Sequence, residues 1–154
     1  MMTAEVKVNE KNIFEENWTC LHYAIQEGHF EALQLLVEEY GADLDPRTTL
    51  NKTPFHFACR RGDNKMIEYL IKKGVNPSVV DRDGCTPLHY LCENENIDMI
   101  KMLLPLSGGS NDVRNRFGKK PVDMIASASL KKLVRQFSKR RHTSSNFKLN
   151  PHLQ

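Results

Sequence analysis

Three histidines, His22, His56 and His89, and two cysteines, Cys59 and Cys92, recur at nearly constant intervals along the 154-residue chain. Imidazole and thiolate are the usual ligands of zinc, which needs them within about 2.0–2.5 Å of one ion. No nucleophile–base set is visible beside them, and neither phosphate-binding glycine motif, G-x-x-x-x-G-K-[ST] or G-x-G-x-x-G, occurs. Ser107-Gly108-Gly109-Ser110 lacks the lysine and the flanking strand, so it reads as a loop. Whether the histidines and cysteines can converge depends on the elements that carry them.

Those elements repeat. With Thr19, Thr53, Thr86 and Lys120 aligned, the steps are 34, 33 and 34 residues, and the segments read TCLHYA, TPFHFA, TPLHYL and KPVDMI. Further on, Ala32-Leu33, Met66-Ile67, Met99-Ile100 and Leu133-Val134 fall into shared columns. Leu36-Val37, Leu70-Ile71, Leu103-Leu104 and Phe137-Ser138 follow one turn later. Spacing of i, i+1, i+4, i+5 puts these positions on one helix face, broken only by Ser138.

A threonine that caps free N–H groups, followed by proline, starts the first helix at Thr53-Pro54 and Thr86-Pro87. Cys20 replaces the proline in unit one, and Lys120 replaces the threonine in unit four. Gly28 and Gly62 end first helices in a left-handed conformation, and Glu95 takes that place in unit three. Asp81-Arg82-Asp83-Gly84 and Asn115-Arg116-Phe117-Gly118 are turns. The expected helix pairs are 20–27 with 30–39, 54–61 with 64–73, 87–93 with 97–104, and 121–127 with 129–138. No pair buries its apolar face alone, whereas stacking buries a continuous one.

Stacking decides the chemistry. Equivalent histidines in neighbouring units lie one helix-packing distance apart, roughly 8–10 Å, so one ion cannot be shared. Cys59 and Cys92 likewise share a column and read as small buried hydrophobes. No metal, cofactor or small-molecule substrate is expected, and no catalysis, since such a stack lacks a deep, dry pocket. No apolar window reaches the roughly 18 residues of a membrane helix, and the polar N-terminus has no secretory h-region. A cytosolic or nuclear protein with reduced cysteines is expected.

The sequences TPFHFACRRGD and DRDGCTPLHYL resemble the T-P-L-H-x-A signature of ankyrin repeats, over roughly residues 14–138. The fold implied is an all-α solenoid of four helix–turn–helix units with short turn or hairpin connections: 14–47, 48–80, 81–114 and 115–138. Residues 1–13 form an arm or the remnant of a preceding repeat, and 139–154 a basic, disordered tail. In this family the repeat histidine bonds its own threonine and neighbouring backbone. Departures are Asp123 in place of histidine, Asn17 in place of the turn glycine, and the inserted Tyr40.

The resemblance also implies where a partner would sit, on the concave surface of turn tips and first-helix ends. Those positions are Glu16, Trp18, Leu50, Lys52, Arg82, Asp83, Arg116 and Phe117 on the turns, and Gln26, Glu27, Arg60, Arg61, Glu93 and Asn94 on the helix ends. Trp18 is either an exposed anchor or a lid over the first repeat. The column Tyr23, Phe57, Tyr90, Met124 packs between first helices or, as the alternative, forms a hydrophobic strip on the inner face. Reversing Arg60 and Arg61 to glutamate is expected to abolish partner capture and leave helicity and melting unchanged.

Charge is uneven. Residues 1–118 carry 13 basic and 18 acidic side chains, a balance of −5, and residues 119–154 carry 9 and 1, a balance of +8. Lys131, Lys132, Arg135 and Lys139 suit the polar outer face and C-terminal dipole of a last helix. The following Lys139-Arg140-Arg141-His142-Thr143-Ser144-Ser145 suits nuclear import, nucleic-acid contact or a kinase that recognises basic residues. The expected function is an adaptor, scaffold or stoichiometric inhibitor that is monomeric by itself and binds another protein. The alternatives are nucleic-acid or anionic-surface binding at the basic end, or the recognition part of a longer protein. Nucleic acid ranks behind because no platform of interleaved aromatic and basic residues is present.

Overall fold

A computed structural model describes residues 7–148. Three helical hairpins follow in chain order: α1 (Cys20–Gln26) with α2 (Phe30–Glu38), α3 (Pro54–Arg61) with α4 (Asn64–Lys72), and α5 (Pro87–Glu93) with α6 (Ile97–Leu103). A 3₁₀ turn at Gly108–Asp112 precedes the fourth unit, which consists of a second 3₁₀ turn, Pro121–Met124, and the long helix α7 (Ala128–Lys148). Among the described residues one antiparallel bridge, between Asn12 and Trp18, is the only strand-like pairing.

Each helix starts where the local chemistry dictates. Thr53 Oγ1 accepts the His56 N–H at 3.3 Å, while Pro54 holds the first helical position, where a missing N–H costs nothing. Asp63 and Asn96 cap α4 and α6 by accepting the N–H groups of Met66 and Met99. First helices pack on first helices, α1 on α3 and α3 on α5, with the Pro121–Met124 turn closing the row.

The repeated apolar column is the core. Leu33, Ile67 and Ile100 are fully buried, Val134 nearly so, and Leu70 and Leu103 lie one turn on. Burial of such side chains contributes about 1.5–3 kcal/mol each. Leu133 departs from its column: Met66 and Met99 are covered, but Leu133 is 38% exposed.

The fourth unit departs from its expected pair. In place of a helix over 121–127 there is only the 3₁₀ turn, and the chain is already extended at Ile125, with ψ 125°. Glu95 supplies the reason. Its Oε1 accepts the N–H groups of Ala126 at 2.9 Å and Ser127 at 2.8 Å, drawing the chain away from a helical path. Asp123 reproduces part of the lost cap by accepting the Lys120 N–H at 3.0 Å.

Helix α7 runs ten residues beyond the expected end at Ser138, into the stretch read as a disordered tail. Its lysines and arginines are good helix formers, no glycine or proline interrupts them, and cations near a helix C-terminus complement its dipole. The rest of the expected tail, 149–154, and the start of the arm, 1–6, lie outside the described residues.

Candidate protein-docking face

The turns are small hairpins strung into a row. Thr48 N–H bonds the Lys52 carbonyl at 3.0 Å, Asp81 that of Cys85 at 3.0 Å, and Asn115 that of Lys119 at 2.9 Å. In unit one the closing pair is Asn12 with Trp18 at 2.8 Å. That hairpin therefore begins inside the arm and carries a longer tip. The reversal residue is left-handed in every unit, with φ 61° at Asn17, 58° at Asn51, 76° at Gly84 and 74° at Gly118. Asparagine tolerates this conformation better than other side chains, which is how units one and two dispense with glycine.

Neighbouring tips are then tied backbone to backbone. Thr49 N–H reaches the Glu16 carbonyl at 2.9 Å, Arg82 that of Leu50 at 2.9 Å, and Arg116 that of Asp83 at 2.8 Å. A second row of ties joins the helix ends. Arg61 donates to the Gln26 carbonyl at 2.8 Å, Asn94 Nδ2 to the Cys59 carbonyl at 2.8 Å, and Glu95 takes the two amides before α7. A Cβ at Gly28 would collide with the Arg61 guanidinium, so glycine there makes room for it.

The histidines form the third set of ties. His56 Nδ1 accepts the Thr53 N–H at 3.1 Å, which leaves the proton on Nε2, facing the Cys85 carbonyl of the next unit at 3.1 Å. His22 and His89 repeat this toward the carbonyls of Lys52 and Lys119, at 3.2 and 2.9 Å. Burial lowers the pKa of His22 from 6.5 to about 4 and lowers those of His56 and His89. Burial also pushes the Cys92 thiol up to about 12 and the Cys59 thiol well above its ordinary range. A neutral thiol of that kind is a poor nucleophile and a poor ligand. Among the described residues no group of three or more His, Cys, Asp or Glu side chains is arranged to hold a metal ion.

The residues named from the sequence divide into two kinds. Arg60, Arg82, Gln26, Glu16, Glu27 and Glu93 are exposed on the tips and helix ends, and Phe117 is 67% exposed. Leu50 and Lys52 are half-buried, with Lys52 Nζ 5.6 Å from the centre of the Tyr90 ring. Arg61 and Asn94 instead spend their side chains on the preceding unit. Asp83 and Arg116 pair with each other at 3.0 Å across adjacent tips. Reversing Arg61 therefore removes an inter-unit bond, against the expectation that melting would be unchanged.

Trp18 is half-buried, its ring centre 4.8 Å from that of Phe57 and 5.1 Å from that of Tyr23, which is the geometry of a lid. The aromatic column packs as expected: Phe57 and Tyr90 are buried and Tyr23 is half-buried. Buried Asp81 orders its hairpin, accepting the N–H groups of Asp83 and Cys85 at 2.9 and 3.0 Å as well as the Tyr90 hydroxyl.

Two exposed apolar residues escaped the sequence reading. Ile13 is 76% and Phe14 91% exposed on the tip of the first hairpin. Their signal was present, since two large apolar residues in a turn are unusual, but they fell at the edge of the supposed arm.

Family comparison agrees with this geometry. The family model for three ankyrin repeats matches residues 41–116, and the single-repeat model matches residues 16–49. The chain belongs to the ankyrin-repeat family. It is 34% identical over 108 residues to the target of rapamycin complex 2 subunit AVO2 of Saccharomyces cerevisiae, covering 69% of this chain and 25% of that protein. It is 31% identical over 130 residues to the probable 26S proteasome regulatory subunit p28 of the same yeast, covering 82% and 56%. It is 26% identical over 148 residues to the SMC5-SMC6 complex localization factor protein 1 of Bos taurus, covering 95% and 14%. The chain thus spans less than two thirds of each of these relatives. Among the described residues no helix is long and apolar enough to cross a membrane.

Proposed function

We propose that this ankyrin-repeat chain acts in the cytosol or nucleus as an adaptor, scaffold or stoichiometric inhibitor, holding one protein partner along its hairpin tips and first-helix ends. One observation carries the reading. Backbone ties fix the tips and side-chain ties fix the helix ends in register, while Phe14, Arg60, Arg82 and Phe117 stay exposed on them. A face that is rigid before binding loses little conformational entropy on docking, and its aromatic and arginine side chains are the types that dominate binding energy. The relatives' names, which describe complex subunits and a complex localization factor, support a role in positioning proteins within assemblies.

The test is quantitative capture from native extract with Arg60→Glu and Arg82→Glu combined, against Lys72→Glu on α4 as control. The proposal expects the partner's band to fall at least tenfold in the first variant only, with helicity unchanged in both. Equal capture by all three proteins would rule this face out.

A further inference from the structure

The cations in the middle of the docking face divide by what they already hold. Arg61 donates to the Gln26 carbonyl, and Arg116 pairs with Asp83. Lys52 stands half-buried at the base of its hairpin, with Nζ 5.6 Å from the centre of the Tyr90 ring. Arg60 and Arg82 are exposed, and among the described residues neither side chain makes an ion pair.

Between these cations the floor is aromatic. Phe57 and Tyr90 are buried, Tyr23 and Trp18 half-buried. The hydroxyls of Tyr23 and Tyr90 are already given to Glu15 and Asp81. The rings therefore offer apolar surface, and discrimination falls to the charges around them.

Those charges form a lane. Arg60 lies near the end of the eight-residue α3 and Lys52 just before its start, so the helix separates them by about 12 Å. The Arg82 N–H holds the Leu50 carbonyl, two residues before Lys52, which puts Arg82 within about 10 Å of it. The lane from Arg60 past Lys52 to Arg82 is thus about 20 Å long, the reach of about six residues of extended chain. Exposed carboxylates border it: Glu16 and Glu27 on unit one, and Glu93, which takes the place of Arg60 on unit three.

We infer that this docking face, if it is the site of partner binding proposed above, receives an extended acidic segment of the partner protein. Its carboxylates fall about three residues apart and meet Arg60, Lys52 and Arg82 in turn, while its apolar side chains rest on Phe57 and Tyr90. Glu27 and Glu93 repel an acidic chain that strays along the helix ends, which fixes its diagonal path. A nucleic acid fits less well, because its unbroken row of phosphates would run onto those same carboxylates.

A random peptide display library, with segments about twelve residues long so that they overrun the lane, tests this on the purified chain. Panning should enrich sequences rich in Asp and Glu. Synthesised winners, followed by fluorescence polarisation, should bind Arg60→Glu with Arg82→Glu at least tenfold more weakly than the parent. Lys72→Glu with Lys132→Glu makes the same change in net charge at exposed positions on α4 and α7, and should bind as the parent does. Circular dichroism checks that both variants keep the parent's helicity. Winners that need Arg60 and Arg82 but carry no excess of acid would overturn the acidic occupant and leave the docking face standing. Acidic winners that bind the Arg60, Arg82 variant as tightly as the parent would overturn both. Equal weakening in the control variant, no enrichment at all, or displacement of the winners by a lower concentration of duplex DNA would each overturn the acidic segment.

Discussion

His22 holds the first two units together only while its ring is neutral, because Nδ1 must accept the Thr19 N–H at 3.0 Å. Burial holds its pKa at about 4 in the folded protein, against 6.5 when exposed. Between those values the unfolded chain binds a proton that the folded chain refuses, so stability is fully present above pH 6.5 and declines as pH falls toward 4. Each unit of pH in that window costs about 1.4 kcal/mol, so moving from pH 7 to pH 5 costs about 2 kcal/mol through His22 alone. His56 and His89, shifted in the same direction, add to the loss.

Urea denaturation followed by Trp18 fluorescence is a direct assay, because this single tryptophan lies with its ring centre 6.4 Å from that of His22. His22→Gln cannot titrate. It should be less stable than the parent at pH 7, yet lose about 2 kcal/mol less than the parent between pH 7 and pH 5. Parallel losses in the two proteins would show that His22 is not held neutral, and the reasoning from its burial would be wrong.

Three further outcomes follow from the inter-unit ties and from burial. Glu95→Ala should cost about 1–3 kcal/mol, since it removes two hydrogen bonds to a carboxylate, and hydrogen exchange should quicken at Ala126 and Ser127. Arg61→Ala should lower stability by about 1 kcal/mol, the usual worth of such a hydrogen bond, while Arg60→Ala leaves the melting temperature unchanged. Iodoacetamide followed by mass spectrometry should label exposed Cys20 in the native protein, and Cys59 and Cys92 only after unfolding.

The stack was legible because each unit repeats the same solution. Leu33, Ile67, Ile100 and Val134 occupy one column because they meet one environment, and a capping threonine followed by proline marks a helix start without knowledge of the fold. What escaped depends on partners distant in sequence. The collapse of the fourth unit's first helix into a 3₁₀ turn is decided by Glu95, 31 residues upstream of Ala126. The start of the first hairpin at Asn12 was masked by a longer tip than in other units. At the docking face, exposure follows from column position, but the commitment of Arg61 to the Gln26 carbonyl does not. Arg60 and Arg61 are chemically identical in sequence, and only the turn of the helix separates a free guanidinium from a bonded one.

In the proposed function a protein partner meets the tips and first helices rather than the second-helix layer. A photo-crosslinking amino acid placed in turn at Arg60, Phe117 and Lys72, then irradiated in native extract, addresses this directly. A partner on this face gives a discrete adduct of the same mass increment from Arg60 and from Phe117, and none from Lys72. An adduct from Lys72 alone would contradict it.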